Sequence, residues 1–226
     1  MTPAEPSIIA VIPAFNEAGH VGKVVSDVQS FVDKIVVIDD GSTDSTGDEA
    51  RLRGACVFRH LVNRGLGGSI ITGLRAAIRL GADVIVTLDA DGQHVASEIT
   101  EVIGPILRNE ADFVIGSRLI KTKSIPLSRI VANRIADFCT WILFGVRVRD
   151  SQSGFRAFSR VVAESIELRT SRMEISTEIL SEVARKGFRI SEIPITAIYT
   201  QYSLSKGQSF SVGLKTLVKL LFRRIG

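Results

Sequence analysis

Apolar residues fall in short blocks that alternate between two periods. Ser7 to Ile12 is an apolar run closed by Pro13, and Val21, Val24, Val25, Val28 and Phe31 then recur at helical spacing. This predicts strand, loop and helix. Lys34 to Ile38 is a second, β-branched run, stopped by Asp39-Asp40-Gly41-Ser42, and the helix after it should end at Gly54. A third strand is predicted over Ala55 to His60, a helix over Ser69 to Leu80 ended by Gly81, and a fourth strand over Val84 to Leu88. Phe113 to Gly116 follows as a fifth after another helix. Short, fully apolar strands alternating with helices predict an α/β fold whose mainly parallel sheet is covered on both faces. The second half is less regular, with helices predicted over Ser128 to Phe144, Ser159 to Glu167 and Ile175 to Lys186. Arg189 to Tyr199 reads as a strand that Pro194 confines to an edge or a bulge. Phe210 to Ile225 reads as an amphipathic helix.

Composition narrows the reading. The 226 residues are 45% hydrophobic and 23% charged, and no linker-like stretch divides them, which predicts one domain over 1–209 with the helix of 210–226 appended. The net charge is +4, but the basic residues carry no aromatic-interleaved stripe or nucleic-acid motif. Anionic small molecules or a membrane surface fit better than nucleic acid. Cys56 and Cys139 stand far apart, with neither zinc spacing nor a disulfide framework, and the default is a reducing, cytoplasmic compartment. The first residues lack signal-peptide character. Leu127 to Val148 is apolar, but Arg129, Arg134, Asp137 and Arg147 make it too costly to span a bilayer.

In parallel sheets, ligands bind beyond the carboxyl ends of the strands. The four loops there read Pro13-Ala-Phe-Asn-Glu17, Asp39-Asp-Gly-Ser-Thr-Asp44, Asn63-Arg-Gly-Leu-Gly-Gly68 and Asp89-Ala90-Asp91-Gly92-Gln93-His94. Asp89 and Asp91 can turn toward one point at a strand end, with Gln93 as a third oxygen. Hard donors in an incomplete cage suit Mg²⁺ or Mn²⁺ and leave positions for substrate phosphates, while a solvated acidic turn is the alternative. A calcium EF-hand is excluded, because the sixth position is His94 rather than glycine and the twelfth is Thr100 rather than glutamate. Gly65, Gly67 and Gly68 do not complete a dinucleotide fingerprint. They mark either a close backbone approach at a helix N-terminus or only a tight turn. Asp39 or Asp40 can accept hydrogen bonds from a base or ribose, the other capping a helix. Glu17 suits a helix start. His20, His60 and His94 read as surface or structural residues.

Taken in order, these loops resemble the family 2 glycosyltransferases of the GT-A fold, and most nearly the dolichyl-phosphate (polyprenyl-phosphate) mannose synthases. The likeness extends through Gly116-Ser-Arg118, Ser153-Gly-Phe-Arg156 and Ser205-Lys206, nearly the whole chain. It implies that Pro13, Phe15, Glu17, Ile38 and Asp39 hold the nucleotide base and ribose. It also implies that Asp89, Ala90, Asp91 and Gln93 form the metal loop, with Asp89, Asp91 and Gln93 as ligands of an ion bridging the donor diphosphate. Arg118, Arg129 and Lys206 would contact the donor diphosphate or an acceptor phosphate, and Ser153 to Arg156 would shape the wall beside the acceptor. Two positions depart from the pattern: Phe15 stands where the family often has tyrosine, and Thr200 where mannose synthases carry an arginine.

The expected reaction is metal-dependent, inverting transfer of a hexose from GDP-mannose or a UDP-sugar to a polyprenyl or dolichyl phosphate, with Asp91, Arg118 and Arg129 as the catalytic set. A phosphate acceptor with a second pKa near ~6 needs positioning rather than a base, which makes arginines informative. Arg134 is a weaker candidate. Lipid access implies a peripheral site at the cytoplasmic face of a membrane, through the helix of 210–226 or that of 128–144, with a membrane-protein partner or a second copy as further possibilities. Two alternatives are a transferase elongating a saccharide, with Glu174 as its base, and a non-catalytic nucleotide-binding scaffold.

Overall fold

A computed structural model describes residues 5–118, 127–172 and 174–198. The chain builds one seven-stranded sheet from β1 (Ile8–Ala14), β2 (Lys34–Asp39), β3 (Cys56–Arg59), β4 (Val84–Thr87), β5 (Phe113–Ser117), β6 (Arg156–Ser159) and β7 (Ile190–Pro194), in the order β3-β2-β1-β4-β6-β5-β7. The helices are α1 (Val21–Val28), α2 (Thr46–Leu52), α3 (Gly65–Arg79), α4 (Ile99–Leu107), α5 (Leu127–Phe144), α6 (Arg160–Ser165) and α7 (Ile175–Arg185).

The period-2 pattern of the strands decides what each face packs against. Ala10 and Ile12 of β1 join Val21, Val25, Ile99 and Val102 in a core under α1 and α4. Ile9 and Val11 join Ile70, Leu74, Ile175 and Ile179 in a second core under α3 and α7. Both faces are thus covered, as the continuous apolar strands required. Gly73 of α3 sits so close to the sheet that a Cβ there would lie 2.2 Å from Val11 Cγ1.

β1 pairs in parallel with β2 on one side and with β4 on the other, so the strand order reverses there and leaves a crevice beyond the ends of β1 and β4. β7 lies at the far edge, parallel to β5, where Pro194 can lack an N–H donor at no cost to a further strand.

Two expectations need correction. Residues 156–159, where the pattern predicts no strand and puts Ser159 at the start of a helix, form β6, inserted antiparallel between β4 and β5. The glycines expected to precede the helix at Ser69 lie within the first turns of α3, which begins at Gly65. The domain boundary at 209, the helix of 210–226 and Lys206 all fall outside the described residues.

Candidate active site

The β1 and β2 side of the crevice is a hydrogen-bonded lattice between the loops after those strands. Asn16 takes a left-handed φ of 52°, tolerable for asparagine. It donates its backbone N–H to Ser42 Oγ (3.0 Å) and accepts from the Thr43 N–H through Oδ1 (2.9 Å). The Glu17 N–H reaches Thr46 Oγ1 at 2.8 Å, and Asp44 accepts from the N–H groups of Thr46 and Ala18. Asp39 is fully buried; its Oδ1 accepts the Ser42 N–H at 2.9 Å. Its Oδ2 has no hydrogen-bond partner and lies 3.5 Å from Arg59 Nε, under Gly47, where a Cβ would sit 2.7 Å from it.

Asp40 does something else. It accepts from the N–H groups of Arg64 (2.9 Å) and Gly65 (2.7 Å), capping α3 from the end of β2 rather than capping the helix that follows it in sequence. It also bonds His60 Nδ1 at 2.6 Å, and His60 Nε2 pairs with Thr72 Oγ1 at 3.0 Å. His60 is therefore a structural residue locking β3 to α3. The α3 glycines serve packing: the Gly68 N–H donates to Ser171 O (3.2 Å), and a Cβ at Gly67 would lie 2.1 Å from Thr170 O. The close approach expected at this helix end is made by the chain's own 170–171 backbone.

The β4 and β6 side is built differently, from closely set charges, some buried and some half-buried. In the loop after β4, Asp91 Oδ1 accepts the Gln93 N–H at 3.1 Å, while the Gln93 side-chain amide donates to Oδ2. Gln93 in this conformation holds Asp91 in place. His94 Nε2 lies 3.0 Å from Asp89 Oδ2, and its ring packs at 5.1 Å from Phe155. The segment after β7 closes over the loop, with the Ile198 N–H donating to Gln93 O at 2.9 Å and Thr196 N–H donating to the Glu98 carboxylate.

A second loop, 150–155, crosses the ends of β4 and β5. Thr87 Oγ1 donates to Gly154 O (2.8 Å) and the Gly116 N–H to Phe155 O (2.8 Å). Gly154 is required there: a Cβ would stand 2.4 Å from Asp89 Oδ1. Asp150, fully buried, receives the Arg118 guanidinium fork through Nε and Nη2, both at 2.8 Å, and the Arg118 backbone N–H at 3.0 Å. Arg156 is buried beside them, its Nη2 donating to Ser151 O at 2.8 Å while Nε has no partner. Sequence reasoning missed Asp150; its only signal was an isolated acid in the polar run Arg149-Asp-Ser-Gln-Ser-Gly154.

Electrostatics separate the two loop aspartates. Burial raises the Asp89 carboxyl, but the hydrogen bond and charge of His94, with the charges of Arg118 and Arg156, outweigh it and hold the pKa below the usual value. Asp91 is raised, first by burial and then by the charge of Asp89, against hydrogen bonds from Gln93. Burial pushes Arg156 down to about 10 despite Asp150 and Asp89. Two carboxylates close enough to repel are relieved by a cation, and Asp89 Oδ1 accepts no hydrogen bond among the described residues. Hard oxygens of this kind fit Mg²⁺ or Mn²⁺. No cluster of three or more His, Cys, Asp or Glu side chains occurs among the described residues.

Of the predicted residues, the fold brings Pro13, Asp89 and Arg156 to one crevice, together with Thr87, Gly154 and Ser176. Phe15 stands exposed at its rim, and Glu17 is buried beneath. Ile38 and Ala90 are buried in the two cores, leaving their main chain as the group available to a ligand. Ser153 to Arg156 is buried and buttresses Asp89. Arg129 lies in the first turn of α5, its side chain outside the described residues, as is Thr200. Glu174 begins α7.

Residues 9–166 match the family described as Glycosyl transferase family 2. The chain is 37% identical to the UDP-N-acetylglucosamine–dolichyl-phosphate N-acetylglucosaminyltransferase of Methanococcus voltae, across 99% of this chain and 98% of that protein. It is 30% identical to the undecaprenyl-phosphate mannosyltransferase of Micrococcus luteus, across 91% and 89%. In fold it is similar to the glucosyl-3-phosphoglycerate synthase of Mycobacterium tuberculosis, with a TM-score of 0.72 at 22% identity, covering 96% of this chain and 80% of that one.

Proposed function

The chain belongs to glycosyl transferase family 2, and from that premise we propose that it transfers a hexose, or an N-acetylated hexose, from a nucleotide sugar to a polyprenyl phosphate with inversion. The observation that carries the reading is the carboxylate pair Asp89 and Asp91, mutually repelling at the open end of β4. Asp89, Asp91 and, after release from Asp91, Gln93 would hold Mg²⁺ or Mn²⁺. A bound ion would neutralise negative charge gathering on the leaving diphosphate. The Mycobacterium tuberculosis synthase was crystallised with Mn²⁺ and UDP-glucose, in line with this assignment.

Each side of the crevice has its task. The buried Oδ2 of Asp39, without a hydrogen bond though 3.5 Å from Arg59 Nε, suits an N–H or O–H donor of the base or ribose, over which Phe15 can stack. Arg118 is oriented by Asp150 and Arg156 is buried alongside, and these guanidinium groups would be the donors for an anionic acceptor among the carboxylates of Asp89, Asp91 and Asp150. Arg129 and Lys206 would add to it. A phosphate monoester, with its second pKa near ~6, is largely ionised at neutral pH and needs no carboxylate to take its proton.

The acceptor class is supported by relatives named for dolichyl and undecaprenyl phosphate. A UDP-sugar is favoured over GDP-mannose because the Methanococcus voltae relative is named for one and Thr200 replaces the arginine of the mannose synthases. No helix among the described residues is long and apolar enough to cross a membrane. In this reading the enzyme works as a peripheral protein at the cytoplasmic face. The test is incubation with Mn²⁺, a short polyprenyl phosphate and a panel of radiolabelled UDP- and GDP-sugars, counting label in the organic phase. Label from a UDP-sugar is expected; none from any donor would overturn the proposal.

A further inference from the structure

Arg118 is held by Asp150, and Asp150 is itself held from behind. It belongs to the run Arg149-Asp150-Ser151, which lies between α5 and β6 and is neither helix nor strand. Each of its three N–H groups is nonetheless taken up by a carboxylate from another element. Glu192 of β7 accepts from Arg149 through Oε1 at 2.8 Å and also from Asp150, and Asp137 of α5 accepts from Ser151 through Oδ1 at 2.8 Å. The Ser151 carbonyl in turn accepts from Arg156 Nη2 at 2.8 Å. Connecting segments are ordinarily the mobile parts of a fold; one bonded at three successive residues is not.

The acids concerned stand in unfavourable surroundings. Burial raises the Asp137 and Glu192 carboxyls above their usual values, and the charge of Asp150 on the first and of Asp137 on the second acts the same way. Crowding three acids on one short run works against stability. What it secures is geometry. Neither Asp137 nor Glu192 lines the crevice, but Asp150 between them receives the Arg118 backbone N–H at 3.0 Å and the guanidinium fork through Nε and Nη2 at 2.8 Å. A guanidinium bound at two points follows the position of its carboxylate, and that carboxylate shifts when a neighbouring N–H loses its acceptor.

We propose that Asp137 and Glu192 are positioning residues that aim the Arg118 guanidinium at an anionic substrate by fixing the 149–151 backbone that carries Asp150. This rests on the reading of Arg118 as a phosphate contact, but its first measurement does not. In the full chain with isotope-labelled arginine, the Arg118 Nε–H resonance, assigned by its loss in Arg118→Lys, should exchange slowly, because it donates to buried Asp150. In Asp137→Ala its exchange should quicken at least ~10-fold, while Asp137→Asn and Glu192→Gln, which keep an acceptor, stay within ~3-fold of native. Glu192→Ala, whose native side chain is only half-buried, gives the same reading if Asp137→Ala does not fold.

Transfer to a short polyprenyl phosphate is measured alongside. Misaiming a positioned group costs up to ~10²-fold, and the loss should fall on kcat and the acceptor KM with the donor KM unchanged. The doubly substituted Asp137→Ala, Arg118→Ala protein should be no slower than Arg118→Ala alone, since a residue that works through Arg118 then has nothing left to position. Losses that multiply instead would assign Asp137 to support of the fold and overturn the proposal. So would Arg118 exchange unchanged in both alanine variants, or amide variants as impaired as the alanines. An Arg118 signal that answers to Asp137 in a chain without transfer would remove the catalytic reading and leave the positioning standing; transfer with an unresponsive signal does the reverse.

Discussion

The two sides of the crevice hold similar numbers of acidic residues but use them in opposite ways. On the β1 and β2 side, Asp40, Asp44 and Asn16 accept backbone N–H groups across the loops, so most of the wall is tied together by its own hydrogen bonds, with Asp39 Oδ2 left as a buried acceptor without one. On the β4 and β6 side, Asp89, Asp91, Asp150, Arg118 and Arg156 meet as charges in poor solvent. Arg156 Nε, Ser117 Oγ, Asp137 Oδ2 and His94 Nδ1 are buried there without partners. A carboxylate that accepts N–H bonds is satisfied locally, whereas a set of buried charges is balanced only as a set. The first side is suited to recognising a neutral base, the second to taking up charged groups.

Several substitutions break or sharpen this contrast. The largest effect is expected from Asp150→Ala, which strands the half-buried Arg118 guanidinium and removes the charge facing buried Arg156: about 3–5 kcal/mol of unfolding free energy, read from urea melts. A loss below ~1 kcal/mol would mean that the charges are not balanced as a set. Next, Asp91→Ala should lower turnover by at least ~10²–10³. Its unfolding free energy should shift by no more than about 1 kcal/mol, since Asp91 bonds only to its own loop. On the opposite wall, Asp40→Ala leaves the Arg64 and Gly65 N–H groups and His60 without their acceptor. About 1–3 kcal/mol should be lost, together with hydrogen-exchange protection in the first turn of α3.

The smallest effect is a pH dependence. The Asp137 carboxyl is raised by burial and further by the charge of Asp150, against hydrogen bonds from Ser151. A carboxyl whose folded pKa lies above its unfolded one favours folding while protonated, below the unfolded pKa. That contribution is lost as pH rises to the folded value. Asp137→Asn keeps an acceptor for the Ser151 N–H and cannot ionise. Stability of the variant relative to native protein should therefore grow from pH 3 toward neutrality. A constant difference across that range would show that Asp137 titrates as it does in the unfolded chain.

The parallel half of the sheet was legible because its information is local. Apolar runs of four to seven residues, each ended by Gly, Pro or Asp, mark β1, β2, β4 and β5 to within about two residues at each end. The loops at their carboxyl ends carried the acids, of which Asp89 lines the crevice. Where the sequence misled, the deciding partner lay far away. Arg156 to Ser159 is too short to show a period, and becomes a strand only because β4 and β5 each leave an edge for it. Gly67 looks like a turn residue until Thr170 is laid against it.

From sequence alone follow the α/β class, the family likeness and the identity of the loop acids, since apolar period and residue chemistry are properties of neighbouring positions. The tertiary structure alone decided which acid does what. It gave Asp40 to a helix three elements away, Asp150 to Arg118 across 32 residues, and Gly154 to the space against Asp89. Burial, and with it the pairing of charge and the direction of each pKa, is fixed by contacts between distant segments, and no local pattern encodes those.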